Sequence, residues 1–272
     1  MELFDRIQET AEFIKSRIAV SPKVTIIFGS GISALGEISN RTEIPYSEIP
    51  HFPVSTVKGH AGKLITGTLN GVDVAIMAGR FHYYEGYSTK EITFPIYVFK
   101  AMGVETLIVT NAAGAVNPNF RQGDIMLIVD HINLLPENPL RGPNDERLGP
   151  RFPSMHEPYS RDLIELAENI ASTMGIPLQR GVYVAIQGPP LETPAEYRMA
   201  RILGGDADGM STVPEVIVAR YLGMKVLGFS IITNVADPYN PQPTTHEEVI
   251  EVAGRTSEKL GKLISAILPH LA

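Results

Sequence analysis

No cysteine occurs in the 272 residues, which excludes a disulfide framework, a thiolate zinc site, an iron–sulfur cluster and a thiol nucleophile. Tryptophan is absent too, and no apolar run approaches the ~18 residues of a membrane-spanning helix. The start, Met1-Glu2-Leu3-Phe4-Asp5, lacks the basic cluster and continuous apolar stretch of a secretory signal, so the expected location is the cytoplasm. Basic residues are outnumbered, 23 Lys and Arg against 30 Asp and Glu, for a net charge of −7. A field of that sign draws the molecule neither to nucleic acid nor to an anionic membrane. What the chain does have is apolar material, 44% hydrophobic against 19% charged residues, enough for a sizeable core. Gly and Pro, 24 and 21 residues, together exceed the roughly 12% of average usage and predict many sharply shaped loops.

Leu3, Phe4, Ile7, Ala11, Ile14 and Ile18 recur at helical spacing and predict a helix over 2–19. Val24 to Phe28 is a short β-branched run ending in Gly29-Ser30-Gly31, a strand entering a tight loop. Asn70-Gly71 between Leu64–Leu69 and Val72–Met77 predicts a hairpin, because both residues tolerate the positive φ of a type I′ turn. Further strands are expected at Leu107–Thr110, Ile125–Val129, Val182–Ile186 and Lys225–Ile232. Ser160, Thr193, Thr212 and Thr245 stand as N-caps ahead of helices. Leu135–Pro153, rich in Pro and Gly, has neither period and reads as a long loop. Strand and helix alternate without a linker or composition break. The expectation is one α/β domain over 1–272, a central mixed β-sheet flanked by helices.

Several polar clusters sit where strands end. Gly29-Ser30-Gly31-Ile32-Ser33-Ala34 fits a dinucleotide fingerprint, a phosphate loop or a plain turn. The expected ribose-binding acid of a dinucleotide site is missing, since Glu48 lies in a Pro-rich segment. Arg80 to Tyr87 brings guanidinium, imidazole, phenols and carboxylate together, as a site or a solvated loop. Lys58-Gly59-His60-Ala61-Gly62-Lys63 is an anion loop or a basic turn. Thr110-Asn111-Ala112-Ala113-Gly114 is small enough for a ligand to approach the backbone. Met210, Ser211 and Thr212 precede a helix start, where hydroxyls and free N–H groups favour an anion or merely cap the helix. Glu192 precedes another helix and Asn234 follows a strand. No His-Glu-x-x-His pair supports a metal, and Gly209 to Val213 lacks the second glycine of a nucleophile elbow.

Gly29-Ser30-Gly31, Gly59-His60-Ala61-Gly62, Gly79 to Tyr87, Thr110 to Gly114, Gly142 to Arg147, Gly209 to Glu215 and Thr233-Asn234, in this order, resemble the trimeric class of purine nucleoside phosphorylases. The resemblance runs from about residue 20 to the last helix. It implies cleavage of purine ribo- and deoxyribonucleosides by inorganic phosphate in purine salvage, with no metal or organic cofactor. By motif, Ser30, His60, Arg80, His82, Ala112 and Ser211 would hold phosphate. Tyr84 and Met210 would pack on the ribose, His246 would bond its 5′-hydroxyl, and Glu192 and Asn234 would read the base. Asn234, His82 and Glu192 would carry the chemistry. The family also implies a homotrimer in which Phe152 covers the ribose in a neighbour's site.

Two positions depart from the family pattern: Leu191 replaces a Phe against the purine, and Asp208 replaces an apolar residue. Both predict altered contacts with the base. The segment from Asn234 to His246 is shorter than in mammalian members. The related methylthioadenosine phosphorylases carry Asp and Thr where Asn234 and Ser211 stand, so both positions favour the 6-oxopurine class. A nucleotide-binding dehydrogenase built on Gly29 to Ala34 is the more distant alternative.

Overall fold

Strands buried along their whole length must be covered on both faces, and such strands read as unbroken apolar runs rather than alternating ones. Val24–Ile27 is buried at every position. The computed structural model describes residues 1–32, 35–54, 61–237 and 244–271. In chain order the elements are α1 (Leu3–Lys15), β1 (Val24–Ile27), β2 (Ser39–Pro45), β3 (Lys63–Leu69), β4 (Val72–Ala78), α2 (Thr89–Ala101), β5 (Thr106–Ala115) and β6 (Ile125–Asn133). They continue with α3 (Arg161–Thr173), β7 (Leu178–Ala185), α4 (Pro194–Ile202), β8 (Ala207–Gly209), α5 (Val213–Tyr221), β9 (Lys225–Val235) and α6 (His246–Ile267). The α/β architecture with one mixed sheet is the one expected from the alternation of patterns.

The nine strands run β2-β3-β4-β1-β5-β8-β7-β6-β9, and an additional β5–β9 pairing joins the last strand back to the fifth. Strands β5, β8, β7, β6 and β9 therefore form a closed ring, from which β1, β4, β3 and β2 extend as an open arm. Parallel pairs β1–β4, β1–β5 and β5–β9 place four carboxyl ends side by side. Helices α1, α2 and α5 pack in one group, and α3 packs on α6.

Boundaries differ from the expected ones where tertiary pairing overrides local pattern. The helix predicted over 2–19 stops at Lys15, with Ser16 as its C-cap, leaving Ile18 beyond it. β5 runs on through Asn111–Gly114, and β9 through Asn234, because the two strands pair in parallel as far as Ala115 and Val235. The Asn70-Gly71 turn has φ of 50° and 81°, as the hairpin requires. Thr193 and Thr245 cap their helices in reciprocal pairs with Glu196 and Glu248. Ser160 does not cap through its side chain; its Oγ accepts the Val226 N–H instead. Thr212, also expected as a cap, sits at φ 74° and makes no capping bond. The Leu135–Pro153 stretch carries no helix or strand, and Tyr221 ties it down through Asn144 and Asp145.

The glycine loop after β1 is followed by an edge strand, β2, with no helix among the described residues between them. A dinucleotide fingerprint opens a helix whose N-terminus faces the pyrophosphate, so the dehydrogenase alternative fails here. Gly31, at φ 74°, instead lies on α6, where an added Cβ would stand 2.8 Å from the Ile250 carbonyl oxygen and 2.9 Å from the Ala253 Cβ.

Gly29 is equally confined. A Cβ there would lie 2.7 Å from the Asn111 Cα and 2.9 Å from the Thr110 oxygen, so the loop can meet β5 only without a side chain. Gly29→Ala is expected to destabilise the chain by about 1–3 kcal/mol, the usual range for overpacking. Urea unfolding measures it, and an unchanged midpoint would contradict this close approach.

Candidate active site

The carboxyl ends of the parallel strands, where open α/β sheets place their ligands, surround a cavity of about 480 Å³. β1 ends in Gly29 and Ser30; β4 leads into Arg80, His82, Tyr84 and Glu85; β5 supplies Asn111 to Gly114 as a floor of small side chains. β8 and its exit give Asp208, Gly209, Met210 and Ser211, and β9 gives Thr233 and Asn234. Leu191 and Glu192 precede α4 and Tyr197 lies in its first turn, while Thr244 precedes α6 and His246 and Val249 lie in its first turn. Ser30, Arg80, His82, Tyr84, Ala112, Leu191, Glu192, Asp208, Met210, Ser211, Asn234 and His246 thus line one space. His60 lies outside the described residues, as do Ser33, Ala34, Lys58 and Gly59. Phe152 does not line the cavity of its own chain; it is 87% exposed, with the Arg151 guanidinium 5.3 Å above its ring.

One cluster of the cavity wall is built on a buried cation. Arg80, 1% exposed, donates through Nη1 to the Ser211 hydroxyl at 2.9 Å and the Thr212 hydroxyl at 2.8 Å. Its Nη2 donates to the Thr110 carbonyl, and a Glu215 carboxylate oxygen lies 3.6 Å from Nη1. His82 meets Glu85 across a one-turn 3-10 helix (Tyr83–Glu85), with Nδ1 3.1 Å from a carboxylate oxygen, and stacks on Tyr84 at 4.7 Å. Burial lowers the His82 imidazole below its ordinary value, against the opposing pull of the Glu85 hydrogen bond. A neutral ring donating from Nδ1 to a carboxylate is left with an accepting Nε2. Burial pushes the Tyr84 phenol up to about 12.

The second cluster is acidic and amide-bearing. Tyr197 stands beside both Glu192 and Asn234, close enough to influence the ionisation of the carboxyl. The Thr233 hydroxyl stands between two acceptors, Asn234 Oδ1 at 3.1 Å and the Ala113 carbonyl at 3.2 Å, and has one hydrogen for both. Gly114 makes room for this cluster: a Cβ there would fall 3.2 Å from both Asn234 Nδ2 and Asp208 Oδ1. Burial raises the Glu192 carboxyl, and burial together with the Glu192 charge raises the Asp208 carboxyl well above its ordinary range. Asp208 is 2% exposed, and its Oδ2 has no hydrogen-bond partner among the described residues.

The phosphorylase superfamily model matches residues 23–269. Purine nucleoside phosphorylase 1 of Bacillus subtilis (strain 168) is 55% identical over 265 residues, covering 97% of this chain and 98% of its own. The chain belongs to the purine nucleoside phosphorylases. The Rattus norvegicus purine nucleoside phosphorylase is 50% identical over 276 residues, covering 98% and 96% of the two chains. A crystal structure of schistosoma purine nucleoside phosphorylase with hypoxanthine matches at a TM-score of 0.94 and 39% identity, over 98% of each chain. This phosphorylase is therefore a pentosyltransferase.

Sequence reasoning passed over Tyr197, Glu85 and Thr233 as individual residues. Tyr197 carried one usable signal, its place in the first turns of the helix that directly follows Glu192.

An acid whose carboxyl is raised in the folded state costs stability at every pH above its ordinary value of 3.8, and the cost fades as pH falls to that value. Asp208→Asn is accordingly expected to melt above the unsubstituted phosphorylase at pH 7, with the gap closing toward pH 4. Scanning calorimetry at the two pH values reads this. A lower melting temperature at pH 7 would show that the carboxyl is compensated after all.

Proposed function

We propose that the chain cleaves 6-oxopurine nucleosides, inosine and guanosine and their 2′-deoxy forms, with inorganic phosphate, releasing the base and the pentose 1-phosphate. The observation that carries this reading is the juxtaposition, in one cavity, of a buried guanidinium flanked by hydroxyls and a carboxylate–amide pair. Phosphate is taken up by Ser30, Arg80, Ser211, the Ala112 backbone and His82, with His60 as a further ligand by motif. Such a set strips water from the anion and aims it at C1′. His82, accepting at Nε2, suits the proton of a hydrogen phosphate. Tyr84 and Met210 pack on the ribose and His246 bonds the 5′-hydroxyl.

As the glycosidic bond stretches, positive charge grows on the sugar and negative charge on the purine. A donor aimed at N7 or O6 then stabilises the transition state more than the substrate. The Asn234 amide is that donor. Glu192, beside Tyr197, accepts the N1–H and the 2-amino group of guanine. Leu191 lies against the purine with less area than an aromatic ring, and Asp208 reaches an exocyclic amine. The exposure of Phe152 fits an apolar lid lent to a neighbouring subunit in a cytoplasmic homotrimer.

Replacing phosphate by an inert buffer should nearly abolish release of hypoxanthine from inosine. Equal release in both buffers would mean hydrolysis. Adenosine presents a lone pair, not a proton, at N1, and a site built around a hydrogen bond rejects the analogue lacking it by as much as roughly 10⁴–10⁵-fold. Equal kcat/KM for adenosine and inosine would withdraw the roles of Glu192 and Asn234. Asn234→Asp sets an acceptor against O6, and kcat on inosine should fall by about 10²–10³-fold. Phe152→Ala should raise KM for nucleoside far more than for phosphate, while light scattering of the unsubstituted protein should give a trimer; a fully active monomer would refute the shared site.

A further inference from the structure

Thr212 does not line the cavity and is fully buried behind it. Its backbone, at φ 74° and ψ −53°, forms a γ-turn in which the Val213 N–H donates to the Ser211 carbonyl at 2.8 Å. This turn is rare for any residue, and a β-branched side chain at positive φ is a genuine outlier. A threonine directly ahead of a helix ordinarily caps it, which needs no such strain. Here no capping bond is made. The turn instead swings Oγ1 back to three polar groups: Arg80 Nη1 at 2.8 Å, Asn111 Nδ2 at 2.9 Å and Ser211 Oγ at 3.1 Å.

The directions of these bonds follow from what each group can do. A hydroxyl has one hydrogen and two lone pairs. Arg80 and Asn111 only donate through these nitrogens, so they fill both lone pairs of Thr212 Oγ1. The Thr212 hydrogen is then left to the Ser211 oxygen. Ser211 Oγ also accepts from Arg80 Nη1 at 2.9 Å, so its two lone pairs are filled in turn. Its own hydrogen has one direction left, the cavity that Ser211 lines. Arg80 Nη1 meanwhile uses one hydrogen on each hydroxyl, which fixes the plane of the guanidinium.

We propose that Thr212 is a positioning residue for the anionic substrate: its strained turn forces Ser211 to enter the cavity as a hydrogen-bond donor and locks Arg80 beside it. The proposal rests on the reading of this end of the cavity as the phosphate site. An oxyanion needs a donor there, and a serine free to rotate would present a lone pair part of the time. Thr212 touches no substrate and acts only through its two neighbours.

The test is a cycle of Thr212→Val, Ser211→Ala and the double variant, with KM for phosphate and for inosine measured separately. Thr212→Val keeps the shape and removes the hydroxyl. It should raise KM for phosphate by about 10- to 100-fold, the range for losing a bond to a charged group, and leave KM for inosine within about threefold. Added to Ser211→Ala, it should cost clearly less than it costs alone, because the route through the serine has already been cut and only the one through Arg80 remains. Thr212→Ser, which retains the oxygen, should recover most of the phosphate affinity. Where the valine chain does not fold, Thr212→Ala, which also relieves the β-branched strain, is read in the same way. Independent, multiplying losses in the cycle, equal rises in both KM values, or a serine variant as impaired as the valine would each overturn the proposal. A Ser211→Ala protein with unchanged KM for phosphate would overturn the phosphate assignment itself, and with it this role of Thr212.

Discussion

A guanidinium withdrawn from water demands partners for its N–H groups, and the cost of leaving them unpaired exceeds anything a single new contact can return. Arg80 imposes that demand on this fold. Its partners come from β5 through the Thr110 carbonyl, from the turn before α5 through Ser211 and Thr212, and from α5 itself through Glu215. None of these is near Arg80 in sequence. They meet only because β4, β1 and β5 stand side by side in the sheet and α5 begins where β8 ends beside β5. The sheet order and this wall of the cavity are thus two views of one constraint, a cation that must be surrounded before it can be buried.

Across the cavity the problem is reversed. Glu192 and Asp208 bring two carboxyls into a region with little water, and burial pushes both toward the protonated form. Tyr197 offsets part of this at Glu192, while Asp208 Oδ2 has no hydrogen-bond partner among the described residues. A polar atom left unsatisfied in a folded protein is expensive, and such expense is characteristic of a surface shaped for a ligand rather than for stability. The glycine at 114 belongs to the same compromise, since a side chain there would press on the amide and the acid together.

Elements with strong local chemistry were legible from the sequence: the Asn70-Gly71 turn and the caps at Thr193 and Thr245. Helix α2 was not, because Pro95 lies inside it and Phe94 to Phe99 are all buried, which erases the polar face that periodicity needs. Its capping pair, Ser88 with Glu91, was the signal available. β2 escaped for the opposite reason: Ser39 to Pro45 is largely exposed edge strand with a polar composition. The residues gathered in the cavity were named mainly through family motifs; spacing alone left each as a turn or a cap. Thr212 shows why. A threonine before a helix is a cap by every local rule, and only the distant Arg80 and Asn111 turn it to another task.

Gly31 presses its backbone directly onto Ile250 and Ala253 of α6, the helix whose first turn carries His246. With no side chain between them to absorb displacement, the loop bearing Ser30 rests directly on the second and third turns of that helix. They form one lever with a residue of the cavity wall at each arm. Any displacement of α6 carried through this contact moves both residues, and thermodynamic reciprocity gives such a coupling the same free energy in either direction.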